Sequence, residues 1–159
     1  MSYKWFGKLN IFFAQDWRIM AFQPLLYLFI FGASIRLALS DSEPPRFDVI
    51  TDGFYQIWLG LGIIGPLLAT AAWFCVKHLS GIWKFRGMWF RLGADLMMFT
   101  NLFTYHIASL VLHEDNQTRI FSRYVFGASM LFVFVLLVRD VWSLVLTERL
   151  ASRIRLEHE

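Results

Sequence analysis

Residues 54–76 read FYQIWLGLGIIGPLLATAAWFCV, a stretch without a single charged side chain. An α-helix needs about 20 predominantly apolar residues to cross the roughly 30 Å hydrocarbon layer of a bilayer. Three further stretches of the chain are similar in length and apolar character: residues 19–39, 90–112 and 124–146. The sequence therefore predicts an all-α integral membrane protein, with a bundle of four transmembrane helices over residues 19–146.

The overall composition agrees with a membrane protein. Hydrophobic residues make up 57% of the 159 residues and the mean hydropathy is +0.51, whereas an ordinary soluble domain is about 45–50% apolar. The net charge is +3, and the basic residues flank the apolar stretches as they do in membrane proteins. We therefore expect the lipid bilayer as partner and no nucleic acid. Cys75 is the single cysteine, so an internal disulfide is excluded.

Lysine and arginine predict the orientation of the four helices. The loop at 40–53 is mainly acidic, whereas basic residues gather before the first apolar stretch, after the second and after the fourth: Lys4, Lys8, Arg18, Lys77, Lys84, Arg86, Arg149, Arg153 and Arg155. Cytoplasmic segments of membrane proteins carry the excess of Lys and Arg. Both termini are thus predicted to be cytoplasmic, with 147–159 as a charged tail and with the loops 40–53 and 113–123 outside.

The first 18 residues form a separate predicted segment with an aromatic face and a basic face. At 100° per residue the apolar side chains fall within one arc: Trp5, Phe6, Leu9, Phe12, Phe13 and Trp17. Lys4, Lys8 and Arg18 fall on the other side. This pattern predicts an amphipathic helix that lies in the headgroup region and anchors the protein there. The alternative is a plain aromatic belt ahead of the first span. Further along, Gly81 and Gly87 predict a turn within residues 77–89.

Small residues mark the second span as a packing surface. The relevant side chains are Gly60, Gly62, Gly65, Pro66 and Ala69. Small residues let membrane helices approach closely, and Pro66 removes one helical hydrogen bond and predicts a kink. Two interpretations are open: ordinary packing within the chain, or a hinge for gating or oligomerisation.

Five charged residues fall inside the predicted spans, where charge is costly and needs a reason. Arg36 lies one turn from the outer end of the first span, and its side chain can extend outward to the interface. Arg91 and Asp95 are four residues apart near the inner end of the third span, and Arg139 and Asp140 lie in the inner part of the fourth. Because these helices run in opposite directions, we expect a contact between Asp95 and Arg139. Such a charge network is either a clasp between neighbouring helices or a charged pore constriction or proton path.

The third span is the most polar, and it is the predicted lining of any aqueous path. Its polar side chains are Asn101, Thr104, His106 and Ser109. His106 is the one histidine well inside a span, and paired metal-ligand spacing is absent, so we expect no haem, metal or other cofactor. No nucleophile elbow, phosphate-binding glycine loop or dinucleotide fingerprint occurs either. The sequence therefore predicts a non-enzymatic protein.

By layout, the chain resembles small membrane proteins of bacteriophages, including those of lysis cassettes that encode holins. The features that carry the resemblance are residues 5–17, 60–66 and the tail 148–159. The tail is less uniformly basic than many holin tails, and four spans exceed the one to three common among holins. The resemblance implies a protein that self-associates in the cytoplasmic membrane as a homo-oligomer and forms a pore.

Three functional hypotheses follow from these features. The first is the self-associating, holin-like pore former, in which the glycine face of the second span mediates association and the polar third span meets water. The second is a structural subunit of a larger membrane complex. The third is a small transporter or redox carrier that uses Asp95 and His106.

Overall fold

The computed structural model describes residues 17–40, 52–80, 82–111 and 117–157. These residues form four helices: α1 (Trp17–Ala38), α2 (Asp52–His78), α3 (Ile82–Val111) and α4 (Gln117–Glu157). The described ranges contain no strand, so the all-α prediction is confirmed for them. Trp17 begins α1, whereas Trp5, Phe6, Leu9, Phe12 and Phe13 of the predicted interfacial helix lie outside the described residues.

Backbone hydrogen bonds close α1 and α2, and α2 contains an internal proline. α1 closes with a bond from Leu39 N to Ile35 O of 3.0 Å, and α2 closes with one from Leu79 N to Cys75 O of 3.2 Å. Pro66 lies inside α2 and has no N–H, so one carbonyl in the preceding turn loses its helical partner. The Thr70 hydroxyl donates to the Pro66 carbonyl over 2.9 Å.

The helices pack around α3. α3 contacts both α2 and α4, and α1 rests on α2. Met98 and Leu102 of α3 are fully buried against Val133 of α4 and against Tyr27 and Ile30 of α1. A second apolar cluster joins Tyr55, Trp58 and Leu59 of α2 with partly buried Leu37 and Tyr105. The core therefore lies along α3, although several polar side chains interrupt its apolar sequence.

Two of the described helices are long and apolar enough to cross a membrane, Gly53–His78 and Arg123–Arg149. α1 contributes a shorter apolar stretch, Phe22–Ala38. In α3 polar side chains such as Asp95 and Asn101 interrupt the apolar sequence. Length and composition thus support membrane association through α2 and α4.

Large apolar side chains lie on the outside of the helices and polar ones lie inside. Phe29 is 82% exposed and Phe121 is 72% exposed, whereas Asp95 and Asp140 are 0% and 1% exposed. Soluble monomers rarely expose contiguous apolar patches larger than a few hundred Å². The distribution is therefore the reverse of that in a soluble helical bundle.

Candidate functional site

The charged residues of α3 and α4 meet in an ion pair. The Arg91 guanidinium donates from Nε to Asp140 Oδ2 over 2.6 Å and from Nη2 to Asp140 Oδ1 over 2.7 Å. Arg139 Nε donates to the same Oδ1 over 2.8 Å. Two-pronged pairs of this kind fix geometry and are among the stronger hydrogen bonds in proteins. Asp140 therefore orients two arginines at once, and its single negative charge offsets one of their two positive charges.

Asp95 takes its partners from α1. Its Oδ1 accepts a hydrogen bond from Gln23 Nε2 over 2.8 Å and another from the Tyr27 hydroxyl. Its Oδ2 is buried and has no hydrogen-bond partner. These hydrogen bonds tie α1 to α3, in addition to the apolar cluster that Tyr27 and Ile30 share with Met98 and Leu102.

The predicted contact between Asp95 and Arg139 is wrong. Asp140 directly follows Arg139 in α4 and accepts its Nε–H, while α1 supplies the donors for Asp95. The sequence analysis missed Gln23 and Tyr27, because neither is charged. Their spacing of four residues within an apolar stretch, which places both on one helix face, is the signal that could have found them.

Asn101 of α3 forms hydrogen bonds with α2. Its Nδ2 donates to the Trp58 carbonyl over 2.9 Å, and Trp58 Nε1 donates to the Asn101 carbonyl over 2.9 Å. Asn101 is 2% exposed. Because the two residues bond each other through both side chain and backbone, Asn101 is engaged in helix packing.

The other residues of the predicted polar path lie further along α3 and turn to different neighbours. Ser109 Oγ donates to the His106 carbonyl over 2.7 Å, a local bond within the helix. The His106 ring lies against Gly127 of α4, where an added Cβ would come within 3.1 Å of Cε1. Thr104 is half-buried. Asn101 and His106 thus face α2 and α4 respectively, and the polar side chains do not converge on one channel.

Two of the predicted packing glycines lie at helix crossings inside the chain. A Cβ at Gly62 would overlap Ser34 Oγ and approach Asn101 Nδ2 to 3.2 Å, and one at Gly65 would approach Met98 Sδ to 2.9 Å. Gly60 has nothing within 4 Å of an added Cβ. Gly62 and Gly65 therefore pack within the chain, and association through them would require these helices to separate.

Gly87 was interpreted from the sequence as part of a turn, and this is wrong. It lies in the second turn of α3, where an added Cβ would come within 2.8 Å of Cys75 Cβ and 3.2 Å of the Ala72 carbonyl oxygen. The missing side chain is what lets the start of α3 pack on the end of α2. Periodicity could not reveal this role, because the surrounding residues are aromatic and basic.

A cleft of about 670 Å³ opens between α1 and α2 beside the charge cluster. Pro66 and Ala69, both predicted as packing residues, line it, and so do Arg91 and Arg139. Arg139 Nη2 is buried and has no hydrogen-bond partner. The cleft thus combines mostly apolar lining residues with two arginines, one of which has an unpaired donor.

No family model, curated protein or solved structure matches this chain. The resemblance to phage membrane proteins accordingly stays a prediction.

Within the described ranges, no group of three or more His, Cys, Asp or Glu side chains is placed to hold a metal ion. Cys75 is buried beside Gly87, where a small side chain fits the close helix crossing.

Proposed function

We propose that the protein is an integral membrane protein with four spans that binds an apolar-chain molecule from the bilayer in the cleft between α1 and α2. The single observation that carries the binding role is the cleft itself, about 670 Å³ in volume and lined in part by Arg139, whose buried Nη2 has no hydrogen-bond partner. Ligand sites are typically concave, mostly apolar and furnished with a few convergent polar groups.

The reversed distribution of side chains supports four spans. In a bilayer the outer surface of a bundle meets hydrocarbon, and charged residues are tolerated where they face the interior and pair. Arg91 and Asp140 pair inside the bundle, which removes the main objection to α3 as a span. α1 has 22 residues and is about 33 Å long at 1.5 Å per residue, enough to cross the hydrocarbon layer.

Aromatic and basic side chains near the junction of α2 and α3 support a cytoplasmic interface there. Lys77 Nζ lies 4.6 Å from the centroid of the Trp73 ring, and the Arg86 guanidinium lies 5.0 Å from that of Trp83. Tryptophan is enriched at membrane–water interfaces, and Lys and Arg are enriched on the cytoplasmic side. With four spans, both termini are then cytoplasmic as well.

The same geometry gives less support to a holin-like pore than to ligand binding in the cleft. The glycine face that would mediate association is occupied by contacts with Ser34 and Met98. Asn101, which would line the path, bonds Trp58. A homo-oligomeric pore would require these contacts to be exchanged, whereas binding in the cleft uses the helices as they are packed.

The binding role is tested by blocking the cleft. Leu67 lines the cleft and is 55% exposed, and Leu131 of α4 is 60% exposed but lies outside it. Native mass spectrometry in a neutral detergent with an uncharged long-chain alcohol should detect one bound molecule per chain in the unmodified protein and in Leu131→Trp. Leu67→Trp should lose most of that binding. Equal binding by all three proteins would exclude the cleft as the site.

A further inference from the structure

We propose that the cleft selects a single-chain amphiphile with a carboxylate head, which places its carboxylate at the Arg139 guanidinium and its chain between α1 and α2. This inference rests on the proposed binding function and adds the chemical class of the ligand.

The first support is the unused donor. The Arg139 side chain is 10% exposed, its Nε bonds Asp140, and its Nη2 is buried without a partner while the residue lines the cleft. Buried donors in proteins are almost always paired. A carboxylate is the acceptor that suits a guanidinium best, because the bond is charge-assisted and the geometries match.

The second support is the sign of the charge on the residues that line the cleft. Among the described residues that line it, Arg91 and Arg139 are cationic and none is acidic. Asp95 and Asp140 are fully buried and are not among the residues that line the cleft. A ligand in the cleft therefore meets guanidinium groups first, which favours an anionic head over a cationic one.

The third support is the size of the cleft. An apolar cavity of about 150 Å³ accommodates one benzene molecule, so a cleft of about 670 Å³ has room for roughly four such units, or on the order of 25 carbon atoms. One acyl chain of ordinary length fits this volume, whereas the two chains of a phospholipid exceed it. The volume therefore favours a single-chain molecule.

The fourth support is the direction of access. Leu28, Leu67 and Trp73 line the cleft and are also 66%, 55% and 56% exposed, so its rim faces the surroundings of the bundle. In a membrane those surroundings are lipid chains. An amphiphile can enter sideways from the bilayer without crossing the protein interior.

The test compares a long-chain carboxylate with the alcohol of the same chain length, by native mass spectrometry of the full chain in neutral detergent. The unmodified protein should bind one carboxylate roughly tenfold to hundredfold more tightly than the alcohol, the range expected for a hydrogen bond to a charged group. Arg139→Gln should remove this preference while it still binds the alcohol, which shows that the variant is folded.

Arg86→Gln is the matched control, because Arg86 is exposed and stacks on Trp83 outside the cleft. It loses the same charge and should keep the preference for the carboxylate. If the alcohol and the carboxylate bind the unmodified protein equally well, the carboxylate selection is wrong and the proposed binding function stands. If neither binds, both proposals are overturned.

Discussion

Arg91 of α3 holds both carboxylate oxygens of Asp140 of α4, at 2.6 and 2.7 Å. Arg139 adds a third bond to that carboxylate. Asp140 is 1% exposed, so its charge depends on these arginines rather than on solvent. The pair joins α3 to α4 on the cytoplasmic half of the proposed bundle, beside the cleft that Arg91 lines.

Replacing Asp140 by alanine should destabilise the protein strongly, because it leaves two guanidiniums without their shared acceptor. Removing one partner of a buried ion pair costs about 3–5 kcal/mol, and the 25% exposure of the Arg91 side chain favours the lower end. Thermal unfolding in detergent measures the loss. Glu148→Ala, at an exposed position of the same helix, is the control. Equal thermal unfolding midpoints for the two variants would contradict a stabilising role for the Asp140 ion pair.

Replacing Tyr27 by phenylalanine should weaken the link between α1 and α3. The ring still packs in the core, but Asp95 loses one of its two donors, which costs about 1–3 kcal/mol for a buried acceptor. Tyr124→Phe, at a position 75% exposed, removes a hydroxyl from the surface for comparison. The unfolding midpoint of Tyr27→Phe should fall clearly below that of Tyr124→Phe, and identical midpoints would show that the hydroxyl of Tyr27 contributes nothing.

Gly62→Ala should destabilise the protein while Gly60→Ala should not. A methyl at Gly62 overlaps Ser34 Oγ and lies 3.1 Å from Ser34 Cβ, whereas a methyl at Gly60 meets nothing within 4 Å. Overpacking costs about 1–3 kcal/mol, and Gly→Ala in an open helical position gains up to about 1 kcal/mol. The added variant Ser34→Ala should recover part of the loss at Gly62. Equal stability of Gly60→Ala and Gly62→Ala would rule out the close crossing.

Apolar stretches predicted where the helices lie, but not where they end. The predicted start at residue 19 is close to Trp17 of α1, whereas α3 begins at Ile82 and α4 continues to Glu157. The extra residues include aromatic, basic and acidic side chains and are still helical. Hydrophobicity marks the part of a helix that can meet lipid, and a helix continues beyond it as long as its backbone bonds are satisfied.

The sequence predicted the charged residues of the candidate site but not the residues that bond to Asp95. Arg91, Asp95, Arg139 and Asp140 stand out because charge inside an apolar stretch is costly. Which of them pair depends on helix rotation, and the sequence does not specify it. The hydrogen bond from Tyr27 to Asp95 joins residues far apart in the chain. The spacing of Gln23 and Tyr27 indicates a polar face on α1, but it does not indicate which residue that face meets.

The number of spans is tested most directly by the labelling of single cysteines with a membrane-impermeant thiol reagent in intact cells, in a Cys75→Ala background. The variants are Ser42→Cys, Ser80→Cys, Gln117→Cys and Ser152→Cys. Four spans place positions 42 and 117 outside and positions 80 and 152 inside, so the first two should label at once and the others only after the membrane is opened. If only α2 and α4 cross, positions 80 and 117, at the two ends of α3, share one side of the membrane. Identical accessibility of these two positions would contradict the four-span account.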